Sequence, residues 1–112
     1  MPYIPDRGHI VWLSFSPQAG HEQAGRRPAL VLSPKAYNSK AGLILACPVT
    51  SQLKGYPFEV VLPGNLPVSG AVLVDQVKSL DWRDRGATFI CPIPESVMAE
   101  ALGKLLALLT TD

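Results

Sequence analysis

The chain has 112 residues, the usual length of one domain, with 47% apolar and 17% charged residues, a balance that excludes disorder and supports one small core. Unbroken apolar runs such as Leu105 to Leu109 fall far short of the roughly 20 residues of a membrane span, and Met1 to Arg7 has no apolar stretch of the signal-peptide kind. The net charge of +1 hides an asymmetry: Arg7 to Lys54 holds six bases and one acid, whereas Gly55 onward holds four bases and seven acids. These features predict one domain over residues 1–112, in the cytoplasm and without membrane association. The basic first half hints at a polyanion-binding face, unless folding mixes the halves.

Eleven prolines cut the chain into short pieces, which disfavours a helical bundle. Between them lie short β-branched and aliphatic runs. Strands are predicted over Ile10–Phe15, Ala29–Leu32, Leu43–Cys47, Phe58–Leu62, Ala71–Val74 and, weakly, Thr88–Cys91. The continuous apolarity of Ala29–Leu32 suggests burial on both faces. Ser33-Pro34 suits a helix start, so one helical turn is expected over Pro34–Tyr37, ended by Asn38. Pro63 to Pro67 is a turn by composition. After Pro94 the period changes: Val97, Ala101, Leu102, Leu105 and Leu109 share one face of a terminal amphipathic helix, with Glu95 in its first turn. The expected fold is a mainly β, strongly curved sheet or barrel closed by that helix.

The connection from Pro17 to Arg27 is long for a hairpin, where 2–5 residues are usual, and such loops tend to carry function. Cys47 and Cys91 lie in apolar stretches, which predicts buried, reduced thiols. With His9 and His21 they form no recognisable metal spacing, and no Gly-rich phosphate loop is present. No metal or cofactor is therefore expected.

Five blocks carry a resemblance. They are Gly20-His21-Glu22-Gln23-Ala24-Gly25-Arg26-Arg27-Pro28-Ala29-Leu30-Val31-Leu32-Ser33-Pro34, Pro48-Val49-Thr50-Ser51, Lys54-Gly55-Tyr56-Pro57-Phe58-Glu59-Val60, Asp75-Gln76-Val77-Lys78-Ser79 and Trp82-Arg83-Asp84-Arg85-Gly86-Ala87. Together, in order and across nearly the whole chain, they resemble the MazF/PemK toxin family, and its MazF branch most. The resemblance implies an SH3-like β-barrel of short antiparallel strands with a C-terminal helix. It also implies a homodimeric, sequence-specific, metal-independent endoribonuclease that cuts single-stranded mRNA and is inhibited by a cognate antitoxin.

Such a reaction uses the substrate's own 2′-hydroxyl as nucleophile. The protein must accept one proton, supply another, and stabilise charge on the phosphoryl oxygens. By resemblance Arg27 is the charge stabiliser, for which a permanently charged guanidinium fork is well shaped. Thr50 matches the family's active-site threonine, and Ser51 could donate a second hydrogen bond. Glu22 is the first candidate for general base, although Arg26 and Arg27 beside it in sequence would weaken it as a base. Asp75 is the alternative. In the members that use an aspartate there, an arginine two residues earlier takes part; here that place is Leu73. His21 is read as loop variation. Arg26 stands where relatives can carry histidine, and with Gln23, Lys54, Gln76 and Lys78 it is a candidate RNA contact. Trp12, Tyr56 or Trp82 could stack on bases, with Trp12 expected in the core. Two other functions stay open: an inactive SH3-like module that only binds RNA or antitoxin, and a gyrase-directed toxin of the same fold.

Overall fold

The structure, a computed structural model, describes residues 2–15, 20 and 24–112. Seven strands run through them: β1 (His9–Ser14), β2 (Arg26–Val31), β3 (Leu43–Thr50), β4 (Glu59–Val61), β5 (Ala71–Leu73), β6 (Lys78–Asp81) and β7 (Thr88–Pro92). Helix α1 (Lys35–Ala41) joins β2 to β3, and α2 (Glu95–Thr110) closes the chain. Every pairing is antiparallel, in the order β4-β5-β3-β2-β1-β7. The mainly β architecture with a terminal helix is the expected one.

β3 organises the sheet. One edge pairs with β2, and the other is shared, with Leu43–Ala46 on β6 and Val49–Thr50 on β5. The core strands are apolar on both faces because both are covered. Leu30, Leu32, Cys47 and Val49 face a core completed by Val97, Met98 and Ala101 of α2. Ala29, Val31, Ile44 and Ala46 face a second core with Leu13, Phe15 and Trp82. Both cysteines are free and buried.

The structure corrects several expected boundaries. β2 starts three residues early, so Arg26 and Arg27 open a strand rather than end a loop. β3 continues through Pro48 to Thr50. β6 was not expected: Leu80 is its one buried side chain, too little apolar content to read as a strand. Asn38 does not end α1 but lies buried within it. Its amide donates to Pro5 O (2.8 Å) and Ser33 O (3.0 Å), and its Oδ1 accepts from Ser33 Oγ (2.6 Å). The helix ends instead at Gly42, whose φ of 72° is the left-handed cap geometry glycine favours.

Trp12 is not core; it is 42% exposed. Strand alternation sends Val11 and Leu13 into the second core and turns Trp12 to the opposite face, beside Pro28 of β2. On α2 only the first half is covered. Leu105 packs partly on the core, while Leu102 and Leu109, expected on the buried face, are exposed. Among the described residues, no helix is long and apolar enough to cross a membrane.

Candidate active site

The expected site residues gather around the end of β3. Arg27, the second residue of β2, is half-buried, and its guanidinium reaches across the sheet. Nε donates to Ala24 O (3.0 Å) and Nη1 to Val49 O (3.4 Å). The charge is thus held one residue from Thr50, between the chain that leads into β2 and the end of β3. Arg26 is committed differently. Its Nη2 donates to Gly86 O (2.8 Å) and Thr88 Oγ1 (3.2 Å), tying it to the turn before β7. An anion at Arg26 would compete with, or add to, those neutral acceptors.

Thr50 is buried, and its Oγ1 accepts the backbone N–H of Gln52 (3.1 Å). A hydroxyl that accepts still has its own proton to donate. The Thr50 carbonyl has a close neighbour in Gly70. A Cβ on Gly70 would lie 2.1 Å from Thr50 O, and its φ is +118°, so the backbone there requires glycine.

Two depressions flank this strand end. One, of about 350 Å³, is lined by Arg26, Arg27, Ser51 and Trp12, with Pro67 to Ser69 as a wall. The other, of about 300 Å³, is lined by Thr50, Lys54, Tyr56, Glu59, Asp75 and Gln76 among others. The expected residues are therefore brought together in two groups, with Thr50 and Ser51 on either side of the divide. Lys78 lines neither depression; it lies on β6, opposite Ala46. Glu22, Gln23 and His21 lie outside the described residues.

The second depression has a mixed character. Lys54 Nζ sits 5.8 Å from the Tyr56 ring centroid, a cation over an aromatic face. Asp75 lines the same cavity from a 3-10 turn, Val74–Gln76. Burial, with a smaller push from the Asp75 carboxylate, raises the Cys47 thiol to about 12, so it is protonated at neutral pH and no nucleophile. Leu73, two residues before Asp75, is buried and lines this cavity. The third aromatic candidate, Trp82, is buried, and its Nε1 donates to Asn38 O (2.9 Å). It is core. Trp12 and Tyr56 are the exposed rings.

The sequence reading missed Glu59. It appeared only as part of a matching block, yet its side chain is buried against the Lys54–Gly55 backbone. The available signal was an acid inside the apolar strand Phe58–Leu62, a position that needs a partner.

A small antiparallel barrel with a guanidinium and a threonine hydroxyl fixed at one strand end defines a class of protein suited to holding a phosphodiester. Comparison with known proteins makes the assignment. Residues 6–109 match the family model of the PemK-like, MazF-like toxins of type II toxin-antitoxin systems, and the chain belongs to that family. It is 58% identical over 86 residues to the endoribonuclease toxin MazF of Escherichia coli K12, covering 77% of each chain. It is 38% identical over 109 residues to the endoribonuclease PemK of Escherichia coli, covering 94% of this chain and 82% of that one. The crystal structure of MazF from Deinococcus radiodurans superposes with a TM-score of 0.94 at 64% identity, covering 96% and 98% of the two chains. A MazE–MazF structure from the same organism superposes at 0.89 with 62% identity, covering 99% and 100%. The curated relatives are named endoribonucleases, which places this chain in that enzyme class.

Proposed function

We propose that the chain is a sequence-specific toxin that cuts single-stranded mRNA in the cytoplasm without a metal, acting through residues 1–112 as one domain. The observation that carries this reading is Arg27, held by Val49 O one residue from Thr50 at the end of β3. A phosphodiester laid across that strand end would meet a fixed charge and a hydroxyl donor together. The substrate's 2′-hydroxyl attacks the adjacent phosphorus, and the 5′-oxygen leaves and takes a proton from solvent water. The ends are a 2′,3′-cyclic phosphate and a 5′-hydroxyl. Arg27 stabilises the charge that develops on the phosphoryl oxygens, with Thr50 donating a hydrogen bond and Ser51 a second. Glu22 accepts the 2′-hydroxyl proton, with Asp75 as the alternative base. Gln23, Arg26, Lys54, Gln76 and Lys78 contact the RNA chain.

A cognate antitoxin partner is supported by relatives solved as MazE–MazF complexes. An acidic segment would be drawn to the Arg26, Arg27 and Lys54 charges as RNA is. A homodimer is supported by Leu106 and Leu109 of α2, which are 62% and 73% exposed in the single chain. The test is purified protein incubated with bulk RNA in EDTA, with a gyrase supercoiling assay beside it. RNA cleavage with unchanged supercoiling is expected. Intact RNA would favour the inactive module, and lost supercoiling the gyrase-directed toxin.

A further inference from the structure

Glu59 is an acid at the head of β4 and only 6% exposed. Burying a carboxylate is costly unless hydrogen bonds satisfy it. Here they come from two successive backbone amides. Lys54 N–H lies 3.3 Å and 3.2 Å from the two carboxylate oxygens, and Gly55 N–H donates to Oε1 at 3.0 Å. Those amides belong to the segment between β3 and β4, which is neither strand nor helix and so has no ladder to hold it. Thr50 Oγ1 fixes its entrance at Gln52, and Glu59 N–H donates to Tyr56 O (3.1 Å) at its exit. The Glu59 carboxylate grips the middle.

Glu59 is itself anchored. Lys104 Nζ of α2 donates to Glu59 O (2.9 Å), and Lys104 pairs with Glu100 (3.0 Å). In the sheet Glu59 stands opposite Leu73, and Val74 N–H donates to Phe58 O (3.1 Å). The chain then turns at Val74–Gln76, where Asp75 and Gln76 line the same cavity. One side chain thus locks the Lys54–Tyr56 rim to β4, which pairs with β5, the strand that runs into the turn carrying Asp75 and Gln76. The rim's own groups, a lysine ammonium and an exposed tyrosine ring, are those that take a phosphate and a stacked base of single-stranded RNA.

We propose that Glu59 is the positioning residue that holds the Lys54–Tyr56 rim of this cavity in place to receive a nucleotide of the RNA substrate. The inference rests on the endoribonuclease reading and deepens it. Glu59 acts through the rim: without its carboxylate, Lys54 and Tyr56 remain but must be ordered by each substrate molecule as it binds. The loss then falls on substrate capture rather than on the chemical step.

The experiment measures KM and kcat for a defined single-stranded RNA with the wild type, Glu59→Ala and Glu59→Gln, and again with Lys54→Ala and Tyr56→Ala both present. Hydrogen exchange at the Lys54 and Gly55 amides is read on the same samples. Glu59→Ala is expected to raise KM about tenfold to a hundredfold with kcat little changed. Glu59→Gln, which keeps an acceptor oxygen, recovers part of the loss. In the background lacking Lys54 and Tyr56 side chains, Glu59→Ala costs little more. Exchange at Lys54 and Gly55 quickens while exchange at Leu30 and Cys47 stays slow, which separates a loosened rim from a loosened fold. Should Glu59→Ala not fold, Glu59→Gln alone decides through the same KM and exchange readings. An unchanged KM, a loss carried by kcat, or a full loss persisting without Lys54 and Tyr56 overturns the inference. Wild-type protein that leaves the RNA intact overturns the endoribonuclease reading and this inference with it.

Discussion

Gly70→Ala is a change at an uncharged residue that should nevertheless damage the site. Gly70 precedes β5, and its φ of +118° is a conformation that side chains rarely adopt. Forcing it on alanine costs on the order of 1–3 kcal/mol. The added Cβ would also lie 2.1 Å from Thr50 O and 3.0 Å from Thr50 C, and both are backbone atoms that cannot swing aside. Relief requires parting β3 from β5 where they pair at Val49–Val72 and Thr50–Ala71, an overpacking cost of about 1–3 kcal/mol. Together these give roughly 2–6 kcal/mol. With an unfolding entropy of about 0.24 kcal/mol/K for a chain of this size, the melting temperature should fall by roughly 8–25 °C. Denaturant unfolding measures the loss, and RNA cleavage below the new melting point measures the displacement of Thr50. A Gly70→Ala protein within about 0.5 kcal/mol of wild type, with full activity, would refute the close packing of Gly70 on Thr50.

Arg27→Ala should remove roughly 2.7–4 kcal/mol of transition-state stabilisation, a drop of about 100- to 1,000-fold in cleavage rate; wild-type rates in the folded variant would exclude Arg27 from the chemistry. Between Glu22→Gln and Asp75→Asn, the larger fall in kcat identifies the base, and Glu22→Gln is expected to be the more severe. Burial, against a smaller opposing pull from the Asp6 carboxylate, holds the His9 imidazole below its ordinary value of 6.5. The unfolded chain therefore takes up that proton first. Stability should be full above 6.5 and decline as pH falls through it, levelling off below the folded value. Denaturant unfolding at about pH 8 and about pH 5 should show a smaller decline in His9→Phe; equal declines would contradict the His9 linkage.

The strands that could be read from the sequence are those whose burial is written in consecutive residues. Ala29 to Leu32 is apolar without interruption because cores lie on both sides of it, whereas in Leu43 to Cys47 the side chains of Ile44, Ala46 and Cys47 are buried and Leu45 is exposed. β6 was not legible, since Leu80 is its one buried side chain and its place is set by pairing with the first half of β3. Trp12 misled for a related reason: an aromatic within an apolar strand suggests core, and only the sheet's alternation shows that it faces outward. The leucines of α2 follow a helical period correctly, but the period does not say that the barrel covers only half the helix. At the site, family blocks singled out Arg27 and Thr50, and the hydrogen bond from Arg27 to Val49 O brings the guanidinium to the residue before Thr50. Family order did not indicate that Thr50 and Ser51 face different depressions. Nor did it single out Glu59, whose role lies in backbone amides that carry no sequence signature.

The central claim is that Arg27 of β2 and Thr50 at the end of β3 promote attack by the substrate's own 2′-hydroxyl. Mass analysis of the fragment ends from a defined single-stranded transcript, cut in EDTA, tests it most directly. The account predicts 2′,3′-cyclic phosphate, or the phosphate from its hydrolysis, on one side of each cut and a 5′-hydroxyl on the other, with both products formed about 100- to 1,000-fold more slowly in Arg27→Ala. Fragments bearing 5′-phosphate and 3′-hydroxyl ends, or cleavage that requires added Mg²⁺, would contradict it.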